Sequence, residues 1–352
     1  MNISKFLYAG PLFTSIVISG ASIAAPVTPE VATPPKADAD MQKVLDALKS
    51  LNGKPISQLT PEEARKQPTP SDAVLKVLKD EGASIDPEAV ASVKQVEISG
   101  PNGKIPLHIY TPKGKGPFPV IVYYHGGGFV IADTKVYDAS IRGLTNKVGA
   151  VVVSVDYHHA PELKFPTQPN EAYAAYSWVN AHAFEINGDP NRVAVAGESA
   201  GGNLATVVSL MARDKKERLP VHQLLVYPVV DNDMKNESYT TNANAKPLDK
   251  ATMQWFFKYY VKNPSDANNP YALPNKAKSL KGLPPTTLIT AEIDPLYSEG
   301  KKFAERLKKD GVSVSYKHYT GVTHEFFGMA AVVSKAKDAQ AFAASELKKS
   351  FN

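Results

Sequence analysis

From residue 93 onward the chain alternates short, β-branched apolar runs with longer segments that are apolar at helical spacing. Residues 93–98 and 104–110 read as a hairpin about Pro101-Asn102-Gly103, where the glycine supplies the backbone freedom that a tight turn needs. Runs at 119–124, 150–156, 192–196, 221–227, 286–291 and 313–319 read as further strands. Helical patterns lie at 134–147, 169–187, 200–215 and 297–310, with a last helix at 331–350. Parallel neighbours need long crossovers, and crossover helices cover the sheet on both faces. The alternation therefore predicts an α/β fold with a mostly parallel sheet between helical layers. In such sheets ligands sit beyond the carboxyl ends of the strands, so chemistry is to be sought there.

The residues before 93 have a different character. Lys5, an apolar run over 7–18 interrupted by Gly10 and Pro11, and the small residues of Ser22-Ile23-Ala24 read as residues 1–24 of a secretory signal. Cleavage is expected after Ala24, which predicts a periplasmic or secreted mature protein. The run is short of the roughly 20 residues that span a bilayer, so no stable membrane insertion is expected after cleavage. Residues 25–40, with Pro26, Pro29, Pro34 and Pro35, read as a stiff, disordered linker. Over 41–92, Val44, Leu45 and Leu48 mark one helix, Thr60-Pro61-Glu62-Glu63 starts a second with Thr60 as its cap, and Ser71 begins a third. This segment has too little core to stand alone and is expected to rest on the larger domain over 93–352. Within that domain nearly sixty residues separate the strands at 221–227 and 286–291, and they hold an aromatic-rich helix over 248–260. An insertion at about 232–280 is expected to cover the active end of the sheet, with Trp255 and Phe256 as candidate substrate contacts.

Composition removes several classes of function. Apolar residues make up 43% of the chain and charged residues 21%, an ordinary soluble profile. The 40 basic and 35 acidic residues are mixed, with no basic tract, so no nucleic-acid partner is expected. The absence of cysteine excludes disulfides, thiolate metal sites, a cysteine nucleophile and a lipoprotein anchor.

What remains is marked by Gly197-Glu198-Ser199-Ala200-Gly201. A glycine-flanked serine of this form arises by chance about once in ten chains of this length. Here a strand pattern precedes it and a helical pattern follows, which is the context of a nucleophile elbow presenting Ser199. His125-Gly126-Gly127-Gly128 ends the strand at 119–124 and offers bare amides. The N–H groups of Gly127 and Gly128, with that of Ala200, are the expected oxyanion donors, and His125 is expected to brace the loop. A phosphate loop would open directly into a helix, whereas Phe129-Val130-Ile131 follows; Phe129 is a further candidate substrate contact. His324, just past the last strand, is the expected base, while His318 inside that strand reads as structural. Asp294 and the pair Asp231 and Asp233 each follow a strand at the carboxyl edge, and either satisfies the order serine, acid, histidine. Glu198 reads as a hydrogen-bonding neighbour of the nucleophile.

These motifs, with Asp156-Tyr157 leading into Ala160-Pro161-Glu162, then Phe165-Pro166 and Ala291-Glu292-Ile293-Asp294-Pro295-Leu296, resemble the bacterial hormone-sensitive-lipase-like esterases of the α/β-hydrolase superfamily. The likeness runs from about 41 to 345. It implies an eight-stranded sheet with one antiparallel strand, a two-part helical cap, no cofactor, and Asp294 as the acid. It further implies a lipolytic carboxylesterase acting on short- to medium-chain acyl esters, with a homodimer through the last strand as one arrangement. Two departures stand out: His158-His159 where the family has arginine and leucine, and Tyr297-Ser298 where it has arginine and aspartate. An amidase or aryl-acylamide hydrolase on the same triad, or a non-catalytic ligand-binding homologue, are the alternative expectations.

Overall fold

Val120 to Val122 and Val151 to Val153 are completely buried, as strands covered on both faces must be. They lie at the centre of a computed structural model that describes Ser4, residues 7–13 and residues 35–352. The expected cleavage site at Ala24 and linker residues 25–34 fall outside the described residues. Eight strands are formed: β1 (Ser92–Gly100), β2 (Gly103–Thr111), β3 (Phe118–Tyr124), β4 (Val151–Val155), β5 (Gly188–Glu198), β6 (Gln223–Val226), β7 (Thr286–Ile293) and β8 (Val314–Thr323). They pair in the order β1-β2-β4-β3-β5-β6-β7-β8. β2 runs antiparallel to both its neighbours, and every other pairing is parallel.

Helices cover both faces, and the period of two along β3 decides which residue meets which layer. Val120 and Val122 face a core built with Ala172, Ala175, Leu204, Val207, Phe303 and Leu307. Ile121 and Tyr123 face the opposite core, with Ile141, Leu144, Ala339, Ala343 and Leu347.

The chain enters this fold through α1 (Ala39–Ser50), α2 (Pro61–Ala64) and α3 (Pro70–Asp80), followed after the hairpin by α4 (Asp138–Leu144), α5 (Thr167–His182) and α6 (Ala200–Lys215). The insertion supplies α7 (Ser238–Thr241) and α8 (Lys250–Tyr260), and α9 (Tyr297–Lys309) and α10 (Ser334–Phe351) complete the layers. In the N-terminal segment two helix starts differ from the sequence reading. α1 starts at Ala39, inside the stretch expected to be disordered, because the Asp38 N–H donates to the Gly321 carbonyl at 2.8 Å and its carboxylate pairs with Lys335 at 2.6 Å. α3 starts at Pro70 rather than Ser71, with the Thr69 hydroxyl accepting from the Asp72 N–H and the Asp72 carboxylate accepting from the Thr69 N–H.

The N-terminal helices bury Met41, Val44, Ala73, Val74 and Val77 in the same core as Ile121. The insertion is tied to them by Trp255, whose Nε1–H donates to the Leu59 carbonyl at 2.9 Å. Arg65 extends the tie to the residues beyond β3, donating to the Val130 and Ala160 carbonyls and to both oxygens of Glu162. Among the described residues, no helix is long and apolar enough to cross a membrane.

Candidate active site

Ser199 stands between β5 and α6 at φ 56°, ψ −119°, a conformation that a residue with a Cβ adopts only when its surroundings impose it. Its N–H donates to the Val226 carbonyl at 2.9 Å, and its own carbonyl accepts from the Asn203 and Val229 N–H groups. The flanking glycines serve close approach rather than unusual φ. A Cβ on Gly197 would strike the backbone of Gly201, and one on Gly201 would strike the Tyr124 carbonyl at the end of β3.

The last rung between β7 and β8 positions the other two members of the site. After a register shift, Ile293 pairs with Thr323, so the residues that follow, Asp294 and His324, leave the sheet side by side. His324 Nδ1 lies 2.7 Å from Asp294 Oδ2, and its Nε2 lies 2.9 Å from Ser199 Oγ. With a carboxylate at Nδ1, that nitrogen carries the proton and donates it, leaving Nε2 to accept from the serine hydroxyl. Asp294 is fully buried, and its second oxygen accepts from the Leu296 N–H at 2.8 Å. Asn242 donates to the carbonyls of Glu292 and Asp294, and Ser238 and Ser298 exchange hydrogen bonds across the loop. Ser298 thus supports the acid loop where the family has aspartate, while Tyr297 stacks on His318 at 4.3 Å. Asp231 is engaged elsewhere, with Lys276 at 2.8 Å and Asn275, and Asp233 accepts from the Lys235 N–H. The structure brings Asp294, and neither of these, to His324.

Gly127 and Gly128 adopt φ 91° and 58°, the left-handed region that glycine tolerates. Among the described residues their N–H groups donate to no acceptor, and Ala200, first in α6, has no acceptor within its helix for its own. His125 is fully buried beside this loop, its Nδ1 at 2.8 Å from the Gly126 carbonyl and its ring stacked on Tyr157 at 4.3 Å. Burial lowers its pKa below the ordinary histidine value, so it is a neutral brace. Of the two histidines that depart from the family pattern, His158 holds the buried Glu171 at 2.8 Å. His159 is pushed by burial, with His125 and Arg65 adding, to about 3.

The electrostatics around His324 involve three carboxylates. Burial pulls its pKa down, but Asp294, with Glu325 and Glu198, outweighs burial and leaves it above the ordinary value. Glu198 is buried and accepts from Tyr123 Oη at 2.5 Å and from Tyr227 Oη. Burial first, and then Glu325, push its pKa up to about 7.

A cavity of about 670 Å³ opens over Ser199, His324, Gly127 and Gly128. Leu45, Leu48 and Ile56 from the N-terminal segment and Leu248 and Phe256 from the insertion form its apolar walls. Of the three aromatic candidates only Phe256 lines it, in the space a Cβ on Gly128 would need. Trp255 turns toward Leu59, and Phe129 stacks on Tyr260 at 3.8 Å within the core. Tyr137 and Glu325 also line the cavity, and the sequence reading assigned neither a role. Adjacency to His324 was the only available signal for Glu325.

Fold and site together define a serine hydrolase of α/β architecture. A family model described as alpha/beta hydrolase fold matches residues 121–328. The carboxylic ester hydrolase LipN of Mycobacterium tuberculosis is 37% identical over 249 residues, 69% of this chain and 66%, just under two thirds, of the relative. The carboxylesterase NlhH of the same organism is 38% identical over 252 residues, 70% of this chain and 79% of the relative. The crystal structure of a thermostable esterase from Pseudomonas putida superposes with a TM-score of 0.82 at 36% identity, covering 91% of this chain and 99% of that one. The chain belongs to the hormone-sensitive-lipase-like esterase family of the α/β-hydrolase superfamily.

Proposed function

We propose that the protein is a serine carboxylesterase that hydrolyses short- to medium-chain acyl esters through an acyl-enzyme on Ser199. One observation carries this reading: an unbroken line of hydrogen bonds from Asp294 through His324 to Ser199, ending in a cavity whose floor also holds the Gly127 and Gly128 amides. As Ser199 Oγ attacks the ester carbonyl, its proton passes to His324 Nε2. The oxyanion rests on the Gly127, Gly128 and Ala200 N–H groups, donors typically worth about a hundredfold to a thousandfold each in rate. His324 then protonates the leaving alcohol and afterwards takes a proton from water. The apolar walls and limited volume support acyl chains of modest length, and the names carried by LipN and NlhH support the ester bond. The assembled triad weighs against a ligand-binding role without catalysis.

The test is a chain-length panel of p-nitrophenyl acyl esters, with an anilide analogue included, run beside a fluorophosphonate probe. Wild type is expected to turn over the shorter esters and to be labelled, and Ser199→Ala to do neither. A folded wild type that takes up no probe would refute the reading.

We also infer export of the mature chain. Support comes from the charged start, the apolar run and the small residues of Ser22-Ile23-Ala24 in the sequence. Sequencing the N-terminus of the mature protein is expected to begin at Ala25, and an intact Met1 would overturn the inference.

A further inference from the structure

Glu325 is a carboxylate that the triad chemistry leaves without a task. It sits at φ 69°, a left-handed conformation that a non-glycine residue keeps only where the structure holds it. There Glu325 Oε1 comes to 3.7 Å from His324 Nε2, the ring nitrogen that faces Ser199 rather than the one that faces Asp294. Tyr137, the residue before α4, donates its Oη–H to the same Oε1 at 2.7 Å. Among the described residues nothing donates to Oε2. The side chain keeps 18% of its surface exposed, and Glu325, Tyr137 and Ser199 all line the one cavity.

We propose that Glu325, fixed by Tyr137, is a positioning residue for the water that hydrolyses the acyl-enzyme. The proposal rests on the acyl-enzyme reading given above. In deacylation a water must give one proton to His324 Nε2 while its lone pair points at the acyl carbonyl carbon. Anchored at Nε2 alone, the water turns freely about that bond. A carboxylate close to Nε2 accepts the water's second hydrogen and stops the rotation. The oxygen–carbon bond forms as the first proton moves to Nε2. The tetrahedral intermediate then breaks its bond to Ser199 Oγ, which takes the proton back from His324, and the carboxylic acid leaves. Glu325 neither gains nor loses a proton. An alcohol acceptor has only one hydroxyl hydrogen, which goes to Nε2, so its attack gains nothing from Glu325.

This difference supplies the test. With p-nitrophenyl acetate in water containing methanol, the ratio of methyl acetate to acetate reports the competition between the two acceptors. Glu325→Gln keeps the size of the side chain but, with Tyr137 donating to its oxygen, turns an NH₂ toward the water. The ratio is expected to rise about tenfold, with kcat falling while kcat/KM, which reports acylation, stays within about threefold. Tyr137→Phe, which leaves the carboxylate in place but frees it, is expected to raise the ratio by less. Fluorophosphonate titration counts the intact sites, so each rate is expressed per competent enzyme and a partly misfolded variant does not mimic the effect. An unchanged product ratio in both variants, or equal losses in kcat and kcat/KM, would overturn the role of Glu325 and leave the esterase reading standing. A wild type that releases no p-nitrophenol would instead overturn the esterase reading itself.

Discussion

Asp294 and Asp231 carry the same group and both follow a strand at the carboxyl edge, yet they face different partners. Asp294 meets an imidazole in a fully buried site, and Asp231 meets Lys276 and Asn275. Asp294→Asn is therefore expected to lower kcat on a p-nitrophenyl ester by about ten-thousandfold, because an amide at Nδ1 no longer enforces the productive tautomer. Asp231→Asn should stay within about threefold of wild type, and the reverse pattern would transfer the acid role. Chain order left both candidates open, and family resemblance favoured one of them. The physical discriminator is the Ile293–Thr323 rung, a pairing between segments thirty residues apart that no local pattern encodes. Glu325 was hidden for a related reason, since its direction depends on one backbone dihedral.

At the scale of elements, local chemistry was easier to read. Thr60 before Pro61-Glu62-Glu63 forms the capping box expected of such a start, with Thr60 accepting from the Glu63 N–H at 3.3 Å. The helix it begins is only four residues long, and Arg65, directly after it, joins the cap to the body. The ion pair with Glu162 is bidentate, but it is exposed on the Glu162 side, where solvent screens it. The bonds to the Val130 and Ala160 carbonyls, at 2.8 and 3.0 Å, matter more because they satisfy backbone acceptors beneath the cap. Arg65→Met is expected to cost about 1–3 kcal/mol in denaturant unfolding and to raise KM, since Arg65 also lines the cavity. Unchanged unfolding and KM would show that the cap is held by its apolar contacts alone. The aromatic run of α8 was visible as a pattern, but not which of its faces meets substrate. Trp255 and Phe256 are adjacent and point to different surroundings.

For the whole molecule, the buried charges around the site set activity and stability against each other as pH changes. In the proposed mechanism His324 acts as a base only when neutral, and its raised pKa is expected to place the acid limb of kcat/KM above the ordinary histidine value, with full activity on the alkaline side. Glu198, raised to about 7 by burial and Glu325, is favoured protonated in the folded state. Its contribution to stability is full below its ordinary carboxylate pKa and is lost as pH rises through about 7. His324 contributes with the same sign, present below its ordinary pKa and lost as pH rises through its raised one. Buried His125 and His159, whose pKa values are depressed, act with the opposite sign below the ordinary histidine pKa of 6.5. Tm is therefore expected to fall only above that pH, while kcat/KM rises, and Glu198→Gln should flatten this part of the Tm profile. A wild-type Tm that climbs across this range would contradict the assignment of a protonated Glu198.

Periodicity and turn chemistry act over a few residues, and for that reason the strands, the longer helices, the elbow at Ser199 and the glycine loop at Gly127 and Gly128 could be placed from the linear chain, whereas the four-residue α7 was not. The alternation of strands and helices was enough to require a parallel sheet, and so to put the chemistry at its carboxyl edge. The pairing of Asp294 with His324, the turn of Glu325 toward Nε2, and the choice of Phe256 over Trp255 and Phe129 as a cavity wall depend on strand register and on which face of a helix is buried. These are outcomes of packing between residues far apart in the chain, and they exist only once the molecule has folded.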